Sequence, residues 1–183
     1  AVFRRQTEAQ LQQRDTESEA AYKFRRANGI STLEFIEQMF MQVEQFQFGI
    51  DASAEREKAL ACVVAALLDE RDVLRGRPEE LPADLALRVG IIAGRDHHDR
   101  ADHRDVRRVR DRAADVARRA GIALDLDIID PHRCGAVLAH AYPDRIAVRR
   151  SQAGRFQLRG GSGAFTAPDD PLANQRFIVA ADL

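Results

Sequence analysis

From Asp51 onward, apolar residues recur at spacings of three and four, the period of a helix with one buried side. Ser53 is placed to cap a helix whose Leu60, Val63, Val64, Leu67 and Leu68 form a buried stripe, ending near Gly76 and Pro78. Pro82 opens a shorter helix with Leu85, Val89 and Ile92 on one face, stopped by Gly94. A polar loop over 95–103 leads into a helix from Arg104 to Ala120. Val106, Val109, Ala113, Val116 and Ala120 make a narrow seam on it, with arginines nearly all round, and Gly121 ends it. A short aliphatic stretch, 122–129, precedes a further helix from about Pro131 to Ala141, whose proline suits a first turn. Roughly five helices joined by short loops predict a bundle.

The first fifty residues differ in kind. They hold Phe3, Phe24, Phe35, Phe40, Phe46 and Phe48 of the chain's 9 Phe, and most of its Gln, which marks a boundary near Gly49. Gln6 to Arg26 is polar on most faces and would be a marginal helix alone. Ser31 and Glu34 form a capping box, and Leu33, Ile36, Met39, Phe40, Val43 and Phe46 give the helix after it one wide apolar face for packing against another helix.

After Tyr142-Pro143 the period changes to that of strands. Ile146, Val148, Phe156 and Leu158 fall in short β-like runs, 160–163 supplies a glycine turn, and Phe165 and 177–179 supply further strands. The fold class expected is therefore α+β: a mostly helical bundle over 51–142, then an unfinished sheet of three short strands over 143–183.

Composition narrows the class without naming a function. Apolar residues make up 45% and charged residues 31%, the balance of a soluble globular protein, and no run approaches the ~20 apolar residues that cross a bilayer. The N-terminus does not read as a signal peptide, so a cytoplasmic location is the expectation. The net charge of −1 makes no bulk claim on nucleic acid, so such a claim rests on local patches. Cys62 and Cys134 lie in apolar runs and are expected to be buried thiols rather than a disulfide.

Four segments then carry a resemblance. They are Ala65-Ala66-Leu67-Leu68-Asp69-Glu70-Arg71-Asp72, Asp84-Leu85-Ala86-Leu87-Arg88, the run from Ala139 to Ala147 containing Tyr142-Pro143-Asp144-Arg145, and Pro168-Asp169-Asp170-Pro171-Leu172-Ala173 followed by 178–183. In that order and spacing they resemble the C-terminal region of HrpB-type DEAH-box helicases, over roughly 59–183. The resemblance implies a ratchet-like bundle feeding an OB-like barrel that begins after Arg145. It further implies RecA-like motor domains in cis, which bind ATP and Mg²⁺, and a channel for single-stranded RNA or DNA. Two departures stand out: residues 1–50 do not match the winged-helix region expected before the bundle, and an OB barrel of five strands should continue past Leu183.

The chain itself carries no GxxxxGK run followed by Ser or Thr, the phosphate cradle such a motor needs. Gly160-Gly161-Ser162-Gly163 lacks the lysine and reads as a hairpin turn. Asp69-Glu70-Arg71-Asp72 lies at a helix end and is not a motor's acidic box. No catalytic, cofactor-binding or metal residue is assigned, so the chain alone is not expected to be an enzyme. His97, His98, Asp99, Asp102 and His103 form the best metal-like group, in a polar loop with nothing to fix its geometry.

For nucleic acid the candidates are Arg149, Arg150, Arg155 and Arg159, whose guanidinium forks suit phosphate, with Phe156 between them. Alternation sends Arg155 and Phe156 to opposite faces, which leaves Phe156 open to a core role. Arg107 and Arg108, on the helix after Arg104, are the second candidates; the opposing reading is a solvated face balanced by Asp105, Asp111 and Asp115. The function expected is a nucleic-acid-guiding accessory region of an ATP-dependent, RNA-directed helicase. The competing class is a helical adaptor that binds protein through residues 1–50, and a small metal protein comes third.

Overall fold

The computed structural model describes residues 52–181. The predicted boundary near Gly49, the capping box at Ser31 and the Phe and Met stripe of 33–46 lie outside those residues. The described chain is α+β: four α-helices packed together, then one four-stranded antiparallel sheet. No helix among the described residues is long and apolar enough to cross a membrane.

Helix α1 (Ala52–Asp69) is the axis of the helical part. Every residue from Ala59 to Leu67 is buried, so the expected one-sided stripe is in fact apolar contact all round. Small residues make this possible: Ala59, Ala61, Cys62, Ala65 and Ala66 let helices approach on the sides that Leu60, Val63 and Val64 do not fill. The helix stops at Asp69, well before the expected Gly76. The Asp72 carboxylate accepts from the Leu74 N–H at 3.0 Å and turns the chain, and Arg75 then donates its N–H to the Arg100 carbonyl (2.9 Å) while Asp102 donates to that of Val73 (2.9 Å).

Helix α2 (Leu85–Ala93) begins at Asp84, whose carboxylate accepts from the Ala86 N–H, rather than at Pro82. It ends on Gly94 at φ 74°, a left-handed cap that favours glycine. Helix α3 (His103–Arg119) starts one residue earlier than expected, because Asp102 accepts from the N–H groups of Arg104 and Asp105. Those bonds, the Asp105 N–H foremost, hold the Asp102 carboxyl below its usual range, with the Arg75 guanidinium adding to them. The stability from this cap is therefore present above the ordinary carboxylate range and is lost as pH falls through the lowered value. Val106, Val109, Ala113, Val116 and Ala117 turn inward from α3, and Arg110 donates Nε–H to the Ile92 carbonyl at the end of α2 (2.7 Å). After a 3-10 turn at Pro131–Arg133, α4 (Cys134–Ala141) packs on α1. The expected single helix from Pro131 is thus two pieces.

The sheet comprises β1 (Ile146–Arg149), β2 (Arg155–Leu158), β3 (Gly163–Phe165) and β4 (Phe177–Val179), one strand more than expected. Their order is β3-β2-β1-β4. Three hairpin-connected strands with a fourth returning beside the first is a Greek key. Gly161, at φ 91°, makes the turn between β2 and β3 that the glycine cluster predicted. Ala147, Phe156 and Leu158 form a small buried cluster of their own, with Ala164 and Ile178 against it. The sheet meets the helices through β4, whose Val179 packs on the main core.

Candidate nucleic-acid interface

The register places the predicted arginines on different parts of the sheet. Arg155 heads β2 directly opposite Phe165 of β3, and its guanidinium lies over that ring, 5.6 Å from the centroid. Arg149 ends β1 and donates from Nη1 to the Asn174 carbonyl (2.7 Å), so one of its donors pins the loop before β4. Arg150 and Arg159 are exposed and make no side-chain bond or ion pair among the described residues. Arg150 stands at the β1–β2 link with Arg149 and Arg155, whereas Arg159 stands at the far end of β2. Three of the four therefore share one end of the hairpin, with Arg149, the cross-strand partner of Phe156, on the opposite face from Arg155, and the fourth is apart by the length of a four-residue strand, about 13 Å.

On α3 the two candidates separate. Arg107 is exposed, with no side-chain partner among the described residues. Arg108 is committed to protein: Nε donates to Glu70 (2.7 Å) and Nη1 lies 2.8 Å from buried Asp105. Arg112 does the same with Asp69, and Asp115 gathers Arg112, Arg118 and Arg119. Of the three aspartates in the solvated reading, Asp115 and Asp105 pair with these arginines at helical spacings, although Asp105 is buried rather than solvated; Asp111 makes no ion pair among the described residues, and the end of α1, which that reading did not include, supplies Asp69 and Glu70.

Four segments that carried the resemblance meet one another. Arg88 donates to both oxygens of Asp72 (3.0 and 2.7 Å), and its Nη1 donates to the carbonyls of Pro82 (2.7 Å) and Asp84 (3.1 Å). Asp170, 9% exposed, accepts from the Ala83 N–H (2.7 Å) and the Leu172 N–H (2.8 Å), joining the sheet's last loop to the approach to α2. Arg145 accepts at its carbonyl from the Ala180 N–H (3.1 Å). These residues are joints.

The side chains on the sheet's open face are those the sequence reasoning passed over. Phe156 is core, 1% exposed. Phe165 is 76% exposed, Phe177 55% and Val148 45%, all on the opposite face from Phe156. Arg176 lies over the Phe177 ring at 5.1 Å. Strand alternation was the available signal: Phe165 pairs with Arg155 and Phe177 with Val148, so neither ring shares the Phe156 side.

The other candidate chemistries have little here. No group of three or more His, Cys, Asp or Glu placed to share an ion occurs among the described residues. In the histidine loop, Asp102 is a helix cap and His98 Nδ1 accepts the Arg100 N–H (3.1 Å). Both cysteines are free and buried, and burial pushes each thiol up to about 12. They are un-ionised at neutral pH and poor nucleophiles. Ellman's reagent is therefore expected to leave both untouched in the native protein and to titrate both after denaturation; rapid native reaction would contradict this burial.

No protein-family model matches the chain. It is similar to the ATP-dependent RNA helicase HrpB of Escherichia coli (strain K12), 46% identical over 44 residues, which are 24% of this chain and 5% of that helicase. The crystal structure of the E. coli DExH-box NTPase HrpB aligns over 79% of this chain and 18% of that one, at 20% identity and a TM-score of 0.38. The 44-residue match relates the chain to HrpB-type helicases, of whose length it spans a small part.

Proposed function

We propose that this chain is a C-terminal accessory region of an ATP-dependent, RNA-directed helicase of the HrpB type, guiding a single strand of nucleic acid past RecA-like motor domains in cis. The 44-residue match to a helicase is the observation that carries the reading. On this reading ATP and Mg²⁺ act at the motor, in the cytoplasm, and the chain supplies contacts rather than phosphoryl transfer. The Greek-key order β3-β2-β1-β4 supports reading the sheet as the opening of an OB-like barrel, since that fold is a five-stranded Greek-key barrel used for oligonucleotides. Electrostatics points the same way. Residues 143–181 contain six arginines (145, 149, 150, 155, 159, 176) against Asp144, Asp169 and the internally bonded Asp170, although the whole chain is at −1.

The test uses Arg150 and Arg159, because neither has a side-chain partner within the described fold. A fluorescein-labelled single-stranded RNA should bind weakly and lose affinity as salt rises. The Arg150→Ala, Arg159→Ala double variant should flatten the log–log salt slope by about 1.4, at ~0.7 for each single-strand phosphate that is no longer neutralised. Binding that ignores salt, or a slope unchanged in the variant, sinks the reading.

A further inference from the structure

The four large apolar side chains most exposed among the described residues are Ile146, Val148, Phe165 and Phe177, and the register puts all of them on one face of the sheet. A face left so apolar in water is normally an interaction surface. Its composition selects the occupant. No position on it is acidic: Arg155, Gln157 and Gly163 complete its open part, while Val179, on the same side beyond Ile146, packs on the helical core and closes that end. Each ring has its own arginine, Arg155 over Phe165 and Arg176 over Phe177, and neither guanidinium is paired with a carboxylate among the described residues. A ring takes a flat apolar group, and the adjacent unneutralised cation takes an anion attached to it. A nucleotide with an unpaired base presents both at that separation, whereas a duplex hides its base faces in the stack.

We infer that the open face of the sheet is a stacking platform for unpaired nucleobases, with Phe165 and Phe177 receiving bases and Arg155 and Arg176 holding the neighbouring phosphates. This rests on the nucleic-acid reading above and adds to it that contact is made to bases as well as to backbone. The geometry also sets a length. Phe165 is on β3 and Phe177 on β4, three strand spacings apart and offset by two residues, or about 15 Å. At a stacked rise of about 3.4 Å per nucleotide the two rings are filled by bases some four or five nucleotides apart. Recognition of this kind tolerates any sequence, because every base has a π-face.

The experiment compares three fluorescein-labelled probes on the full chain: oligouridylate eight long, an abasic sugar–phosphate of the same length, and a uridine dinucleotide. The base-bearing octamer should bind about tenfold more tightly than the abasic one, and the dinucleotide, which reaches one ring only, far more weakly than the octamer. Phe165→Ala and Phe177→Ala should each erase most of the preference for bases while the salt slope stays as in the parent. Phe177→Leu should not restore it, and Phe177→Tyr should. Both rings are exposed, so an unchanged thermal melt will show that the variants fold. Equal binding of base-bearing and abasic octamers, with salt dependence intact, overturns the platform and leaves the arginine reading standing. Loss of all probe binding overturns both. Concentration-dependent dimers in sedimentation, dissolved by Phe165→Ala, would assign the face to a second copy of the chain and also overturn the platform.

Discussion

Arg88→Met is expected to lower the unfolding free energy by about 2–3 kcal/mol, because the change removes at once the donor to Asp72, which keeps only the Leu74 N–H, and to the carbonyls of Pro82 and Asp84. The Arg88 side chain is 11% exposed and makes four hydrogen bonds, two to Asp72 and one each to the carbonyls of Pro82 and Asp84. Methionine keeps much of the apolar stem, so the loss is that of polar partners rather than of volume. Asp72 is 38% exposed at its side chain and rehydrates in part, which keeps the cost under the 3–5 kcal/mol typical of breaking a fully buried pair. Lysine should rescue little, since a point charge cannot span both Asp72 oxygens and two carbonyls. Urea denaturation of Arg88→Met and Arg88→Lys measures this. A midpoint within error of the parent in either variant would show that the joint between the α1 exit and the α2 entry is dispensable.

That joint illustrates which features are legible in the residues and which are not. Helix existence is legible because Val106, Val109, Ala113 and Val116 keep the 3.6 period and Gly94 and Gly121 mark the stops. Starts are misplaced where an aspartate competes with a proline: Asp84 caps α2 although Pro82 suits an opening turn, since a side-chain acceptor for a free N–H fixes the first turn more directly than a preset φ. The exit of α1 is misjudged for a related reason. Asp69, Glu70 and Asp72 look like surface helix charges, but their partners Arg112, Arg108 and Arg88 are 43, 38 and 16 residues away, and a local pattern carries no trace of such pairs.

The same holds for the candidate site. Arg149, Arg150 and Arg155 stand out by residue type, and they do gather at one end of the β1–β2 hairpin. Which aromatic accompanies them depends on pairing register. Phe156 lies next to Arg155 in sequence and on the opposite side of the sheet, whereas Phe165, ten residues on, is its cross-strand neighbour. Arg107 and Arg108 are adjacent in sequence, yet one faces water and the other closes on Glu70 and Asp105. Neighbours along the chain predict chemistry poorly when one step along a strand or helix reverses the side.

Phe156→Ala should cost about 3 kcal/mol, near the low end for a buried Phe, and should do so unevenly. Phe156 is the only large ring in a cluster otherwise made of Ala147 and Leu158, with Ala164 and Ile178 at its margin. Truncating it empties most of that cluster. The helical core, centred on α1 and built from all four helices, does not include it. The two are linked by β4, through Val179, and by Asp170 to Ala83, so the hairpins of β1, β2 and β3 lie farthest from the helical support. Local opening of those hairpins is therefore the expected mode of failure, ahead of global unfolding. Native-state hydrogen exchange on Phe156→Ala should show protection lost at the amides of Val148, Gln157 and Leu158 and retained at Val63 and Val64 of α1. Equal loss at both sets would show that helices and sheet form one cooperative unit, in which the sheet has no separate opening to lend to a ligand.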